Sequence, residues 1–199
     1  MTITRHLDLG CGARPRNPYH CDEAHAIDLA APDGFDPERF RQANLSLEPI
    51  PHPDSSFEAV SAFDFLEHVP RVLTTPDGRG TRFPFVELMN EIHRVLKPGG
   101  RFYALTPAYP SREVFHDPTH VNFITDGTWQ YFCGASPGAR MYGFTGAFEM
   151  RRNDRASIPE AYDPTVPLGT RRELRRRWLQ WKGKLSHLAW EFVCVKPER

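Results

Sequence analysis

The chain has 199 residues, enough for one full α/β domain and too few for two comfortable ones. Lys+Arg 25 balances Asp+Glu 25, and this zero net charge argues against a nucleic-acid partner or a polybasic membrane binder. Four cysteines (Cys11, Cys21, Cys133, Cys194) without a CxxC pair exclude a disulfide framework and point to a reducing, cytoplasmic setting. No apolar run reaches the roughly 18 residues of a membrane span, and the opening residues read as a strand, not a signal peptide.

Residues 6–9 form a short apolar run ending in Gly10-Cys11-Gly12, the way a buried parallel strand meets its turn. Residues 26–29 read as a second strand. Asp36 as N-cap and Pro37 in the first turn predict a short helix over 37–42. A third, edge-like strand is expected at 44–47, then a rigid connection through Pro49, Pro51 and Pro53. Residues 57–65 supply a fourth strand, followed by a helical stretch over 66–69. Phe85, Leu88, Met89, Ile92, Val95 and Leu96 fall on one face of a helix over 85–97, stopped by Pro98-Gly99-Gly100. A fifth strand follows at 101–106. Beyond Pro107 the pattern loosens: 109–142 reads as an insertion over the strand ends, 144–150 and 188–195 as two last strands, 151–170 as loop, and 171–181 as a basic helix. Strands alternating with helices predict an α/β fold, a Rossmann-like, doubly wound, mostly parallel seven-stranded sheet in a three-layer sandwich with helices on both faces. The expected organisation is one domain over 1–199, with a cofactor half to 108 and an acceptor-side remainder from 109.

Gly10-Cys11-Gly12 alone is weak evidence for a ligand. The dinucleotide version needs a third glycine, and Ala13-Arg14-Pro15-Arg16-Asn17-Pro18 lacks it, which argues against a nicotinamide or flavin enzyme. Four segments in register are more specific. Leu7-Asp8-Leu9-Gly10-Cys11-Gly12 resembles motif I of the class I S-adenosylmethionine-dependent methyltransferases. Ala26-Ile27-Asp28-Leu29 is similar to that family's second strand, and Asn44-Leu45 with residues 50–60 to its adenine-binding turn and approach to strand four. Residues 65–69 and 91–100 are similar to the segments around strands four and five. The resemblance spans roughly 5–108 and implies S-adenosyl-L-methionine as cofactor. It further implies Asp8 at the methionine amine and Gly10, Cys11 and Gly12 as the close-approach turn. Asp28 with Leu29 would meet the ribose, Asn44 with Leu45 the adenine, and the backbone of Ala62 and Phe63 the methyl-bearing end; His68 is a further candidate contact. The segment after motif I is too rich in proline for the helix that usually follows it.

Methyl transfer needs little acid–base chemistry, but a hydroxyl or amine acceptor must lose a proton, a task suited to histidine. His120 and then His116 are the candidate bases after strand five, with Asp117 as orienter. Asp117-Pro118 equally reads as a capped turn. His116 and His120 do not share a helix face and no cysteine lies close in sequence, so no metal site is expected. Trp129, Tyr131, Phe132, Tyr142 and Phe144 either roof an acceptor pocket or pack a lid core. The expected activity is methyl transfer, at oxygen, to a small-molecule or glycan-type acceptor. The alternatives are an RNA-modifying enzyme using the 171–181 helix and a non-enzymatic interaction module on the same fold.

Overall fold

Strand β1 (Arg5–Leu9) sends Leu7 and Leu9 to one face of the sheet and His6 and Asp8 to the other, and all four side chains are buried. The computed structural model that shows this describes residues 3–167 and 169–197. Residues 1, 2, 168, 198 and 199 of the expected 1–199 domain lie outside the described residues. β2 (Glu23–Asp28) lies parallel to β1. The helix expected at 37–42 is a single 3-10 turn, Pro37–Arg39, capped by Asp36 Oδ1 accepting from Glu38 N (3.0 Å). The chain then turns directly into β3 (Phe40–Gln42), parallel to β2.

The edge strand therefore precedes the position expected for it. Residues 44–47 form a turn instead, because Asn44 O accepts from Leu47 N (2.9 Å) and Glu48 N (2.8 Å) while Asn44 Oδ1 accepts from Ser46 N (3.1 Å). β4 (Phe57–Phe63) ends two residues early, where Asp64 takes a φ of 49°. A 3-10 turn over Leu66–His68 follows, then a two-residue hairpin, β5 (Leu73–Thr74) and β6 (Thr81–Arg82), too short to leave a period-two pattern.

Helix α1 (Pro84–Val95) starts on its proline and buries Phe85, Leu88, Met89, Ile92 and Val95 along one stripe. Each such side chain contributes roughly 1.5–3 kcal/mol on burial. β7 (Leu96–Pro107) begins at once and is longer than expected, because Pro98-Gly99-Gly100 bulges within the strand instead of separating it from the helix. In the insertion only α2 (Glu113–His116) and two 3-10 turns are regular. β8 (Phe148–Ala156) lies downstream of the expected 144–150 and takes in part of the expected loop; its polar run of Arg151, Arg152, Asn153, Asp154 and Arg155 suits an outer strand. α3 (Ile158–Ala161), α4 (Thr170–Trp181) and β9 (His187–Cys194) complete the chain.

The seven strands lie in the order β3-β2-β1-β4-β7-β9-β8, parallel from β3 to β7 and antiparallel at β9 and β8. The main core joins α1 and the insertion to the sheet through Leu7, Val60, Phe102, Phe132 and Trp190. The opposite face carries a smaller core of Phe63, Tyr103, Leu105 and Ala189, packed by Tyr19 and the α3 segment. No described helix is long and apolar enough to cross a membrane. In this topology the turns after β1, β2, β4 and β7 share one edge of the sheet, where open α/β folds bind their ligands.

Candidate cofactor and acceptor site

Gly10 (φ 62°) and Gly12 (φ 57°) turn the chain off β1, and Gly10 N bonds to Ile27 O (2.9 Å). A side chain at Gly10 would stand 2.9 Å from Phe65 Cβ and closer still to its ring, so β1 and the end of β4 meet in contact there. Gly12 has nothing within 4 Å on the side where a Cβ would point, which leaves an open, Cβ-free surface. Beside it Asp28 Oδ2 accepts from Gly12 N (2.8 Å) and Oδ1 from Leu29 N (2.6 Å). The carboxylate is thus fixed by two backbone donors, yet Asp28 remains partly exposed with lone pairs to spare. The exposed Leu29 side chain stands next to it.

The carboxylate expected at the methionine amine behaves differently. Asp8 is 1% exposed; Ser61 Oγ donates to its Oδ1 (2.5 Å) and Arg16 N to its Oδ2 (2.8 Å). Burial pushes its carboxyl up to about 7. Asp8 therefore holds the protein's own loop, and the cause lies in sequence: the proline-broken stretch after Gly12 starts no helix and folds down onto the end of β1. That loop brings in a residue with no motif signal. The Arg16 guanidinium lies over the Phe63 ring (4.7 Å) and the Tyr162 ring (4.8 Å). Cys11, Leu45 and Ala62 are buried, so their side chains pack the interior. Asn44 shapes the turn described above.

The candidate catalytic residues separate. His116 is exposed at the end of α2, and Asp117 Oδ1 accepts from Thr119 N (2.8 Å) and Thr119 Oγ1 (2.6 Å), orienting no histidine directly. The carboxylate facing His120 is Glu67, with Oε1 4.0 Å from His120 Nε2. Glu67 is not among the sequence-based candidates, because nothing local distinguishes it from its motif neighbour His68. Burial raises the Glu67 carboxyl to about 8, and neither oxygen has a hydrogen-bond partner among the described residues. The nearby Thr106 hydroxyl donates to Pro107 O (3.3 Å). Glu67 O accepts from Val121 N and Asn122 N (2.9 Å each), and Arg71 Nε donates to Asn122 Oδ1 (2.7 Å), so the insertion is clasped onto the turn after β4.

Next to this clasp a cavity of about 720 Å³ is lined by Arg71, Phe115, Phe123, Tyr131, Phe132 and Tyr142, among others. Of the five aromatics expected as roof or lid, Tyr131, Phe132 and Tyr142 line it, whereas Phe144 is buried in the main core and Trp129 packs against that core. The basic helix forms as α4, but Arg176 and Arg177 both pair with Glu173 (3.1 Å each), which shrinks the charge available to a polyanion.

Residues 7–104 match the family model of the methyltransferase domain. Among solved structures of similar fold is a Haloferax volcanii methyltransferase in complex with the Trm112 methyltransferase activator (15% identity, TM-score 0.56, covering 98% of this chain and 86% of that one). Another is a Mesorhizobium loti S-adenosylmethionine-dependent methyltransferase (15%, 0.52, 95% and 90%). A third is the Burkholderia thailandensis 1,6-didemethyltoxoflavin-N1-methyltransferase with its substrate and S-adenosylhomocysteine (16%, 0.51, 98% and 72%). No curated protein matches the sequence. A doubly wound sheet with a glycine turn and an acidic second-strand tip defines a nucleoside-binding α/β enzyme. The chain belongs to the class I S-adenosylmethionine-dependent methyltransferases, and its cofactor is S-adenosylmethionine. The residues present fit that cofactor where the test is sharpest: a fixed, partly exposed carboxylate beside a Cβ-free surface can accept from two ribose hydroxyls.

Proposed function

We propose that this methyltransferase methylates an oxygen of a small-molecule or glycan-type acceptor. The observation that carries the reading is the Asp28 carboxylate at the tip of β2, held by Gly12 N at 2.8 Å and still open to a ligand. In this reading Asp28 binds the ribose hydroxyls, Leu29 and the Asn44 turn border the adenine, and the open side of Gly12 lets the ligand approach the backbone. The backbone of Ala62 and Phe63 lies beside the methyl-bearing end, and Arg16 supplies positive charge for the methionine carboxylate. Asp8 acts one step back, by holding Arg16 N.

When bound, S-adenosylmethionine supplies a methyl group already activated on a sulfonium. The protein's work is then in-line positioning and exclusion of water. Aromatic walls suit an acceptor with an apolar body or the apolar face of a sugar, and the cavity of about 720 Å³ is drug-sized. His120 and Glu67 mark the acceptor side. We read the chain as one unit, with a cofactor half to 108 and an acceptor-side remainder, and place it in the cytoplasm, a reading supported by four free cysteines.

Isothermal titration tests the core of this proposal: S-adenosylmethionine and S-adenosylhomocysteine should each bind one site per chain. Absence of heat at millimolar ligand with folded protein overturns it. Transfer of labelled methyl to a hydroxyl-bearing acceptor supports the oxygen assignment, and exclusive nitrogen methylation refutes it.

A further inference from the structure

Two histidines and a buried carboxylate meet where the insertion is clasped onto the turn after β4. One ligand atom each from Glu67, His68 and His120 lie within 4.8 Å of one another, although His120 comes from a segment about fifty residues away in sequence. The expectation of no metal site compared His116 with His120. Folding instead places His120 against His68, with ring centroids 4.8 Å apart.

The surrounding hydrogen bonds fix which nitrogens remain free. His120 Nδ1 faces two carbonyl oxygens, Glu113 O (3.1 Å) and Val114 O (3.2 Å), which only accept, so Nδ1 carries the proton and Nε2 the lone pair. Thr119 spends its hydroxyl proton on Asp117 Oδ1 (2.6 Å), so His68 Nδ1 donates to Thr119 Oγ1 (3.0 Å) and its Nε2 also keeps a lone pair. Backbone carbonyls and a carboxylate-anchored hydroxyl orient both rings, the outer-shell arrangement typical of metal-ligating histidines. Glu67 is 2% exposed, and neither carboxylate oxygen has a partner within 3.5 Å among the described residues, the Thr106 hydroxyl acting on the carboxyl from farther away. Its Oε1 faces the His120 Nε2 lone pair at 4.0 Å, too long for a hydrogen bond. With its carboxyl deprotonated, Glu67 and the His120 ring both offer electron pairs to the space between them, and a cation there satisfies both while releasing the carboxyl proton.

We propose that Glu67, His68 and His120 form a binding site for one divalent transition-metal ion of the zinc type. Two imidazoles and one carboxylate favour zinc, cobalt or iron over magnesium or calcium. Ligands of a tetrahedral zinc with bonds of about 2.0–2.1 Å stand about 3.4 Å apart, so closure takes roughly an ångström of side-chain movement. Three protein ligands leave a fourth position for water or an acceptor oxygen, as in catalytic zinc sites. Arg71, which holds Asn122 in the clasp that Glu67 O also joins, lines the aromatic cavity, so the cluster and the acceptor space share that clasp.

The test uses the untagged full chain, stripped with chelator, and the metal alone. Co²⁺ should give one equivalent with a visible d–d band of low-coordinate geometry, displaced by Zn²⁺, whether or not S-adenosylmethionine binds. Glu67→Gln should lower Zn²⁺ affinity by about 100-fold or more, and His116→Ala should leave it unchanged. If Glu67→Gln does not fold, His68→Asn, at a half-exposed position, should show a comparable loss by the same readout. No stoichiometric binding at micromolar free Zn²⁺, or binding that survives both ligand substitutions, overturns the proposal.

Discussion

Asp8 and Asp28 close adjacent strands and have opposite fates. Asp8 is roofed by the loop after Gly12, while Asp28 is braced by the same loop and left facing outward. A carboxylate that contacts ribose directly should show in affinity. Asp28→Ala should weaken S-adenosylmethionine binding by about 1–3 kcal/mol, roughly 10- to 100-fold, by isothermal titration. Asp28→Asn separates the two roles of this residue. The amide oxygen can still accept from Gly12 N and keep the loop, while the amide NH2 faces Leu29 N, which loses its acceptor, and the charged acceptor for the hydroxyls is gone. A comparable affinity loss is therefore expected, with a loss of thermal stability of only about 1–2 kcal/mol. Affinity equal to wild type in both variants refutes the ribose assignment. Arg94 shows a motif residue serving structure instead. Within the segment matched as strand-five approach, its guanidinium binds Ile50 O (2.8 Å), His52 O (2.8 Å), Asp54 (2.9 Å) and Glu91 (2.7 Å), pinning the proline-rich connection.

At the scale of elements, the glycine turn depends on how β1 and β4 meet. Gly10→Ala forces a left-handed φ on alanine and drives its Cβ into Phe65, and should cost about 2–4 kcal/mol in urea unfolding. Gly12→Ala meets no neighbour within 4 Å and should cost only about 1–2 kcal/mol. If the Phe65 contact is the cause, Phe65→Ala should recover part of the Gly10→Ala loss, and equal costs at the two glycines refute the account. This contrast marks the limit of the motif. Its residue order locates the turn, β2 and the face of α1, because apolar spacing and glycine chemistry are local properties. Phe65 against Gly10 is a contact across fifty-five positions and leaves no local trace. The same limit explains why β3 is expected four residues late: Asn44 and Leu45 carry strand-like neighbours, but the Asn44 turn bonds decide the backbone. It also explains why sequence proximity pairs Asp117 with His120 when Glu67, in another segment, faces that ring.

For the whole molecule, His6, Ser61 and Asp8 tie β1 to β4 inside the fold, and their protonation enters the global stability. His6 Nε2 lies 2.8 Å from Ser61 Oγ, which donates to Asp8, while His6 Nδ1 is buried without a partner among the described residues. Burial holds His6 down to about 3 and lifts Asp8 to about 7. The signs oppose. Between about 4 and 7 the native state keeps the Asp8 proton that the unfolded chain releases, so this term favours folding at low pH and is lost as pH rises through 7. Between about 3 and 6.5 the unfolded chain protonates its histidine while native His6 stays neutral, so that term favours folding at high pH and is lost on acidification. The two nearly cancel in the wild type across mildly acidic pH. Removing one exposes the other. Asp8→Asn should leave a stability that rises with pH from 4 to 6.5, and relative to wild type it should gain on the order of a few kcal/mol between pH 4.5 and 7.5 in urea unfolding. A difference between wild type and variant that is flat over this range would mean that Asp8 is ionised throughout, and that Arg16 N and Ser61 compensate its burial in full.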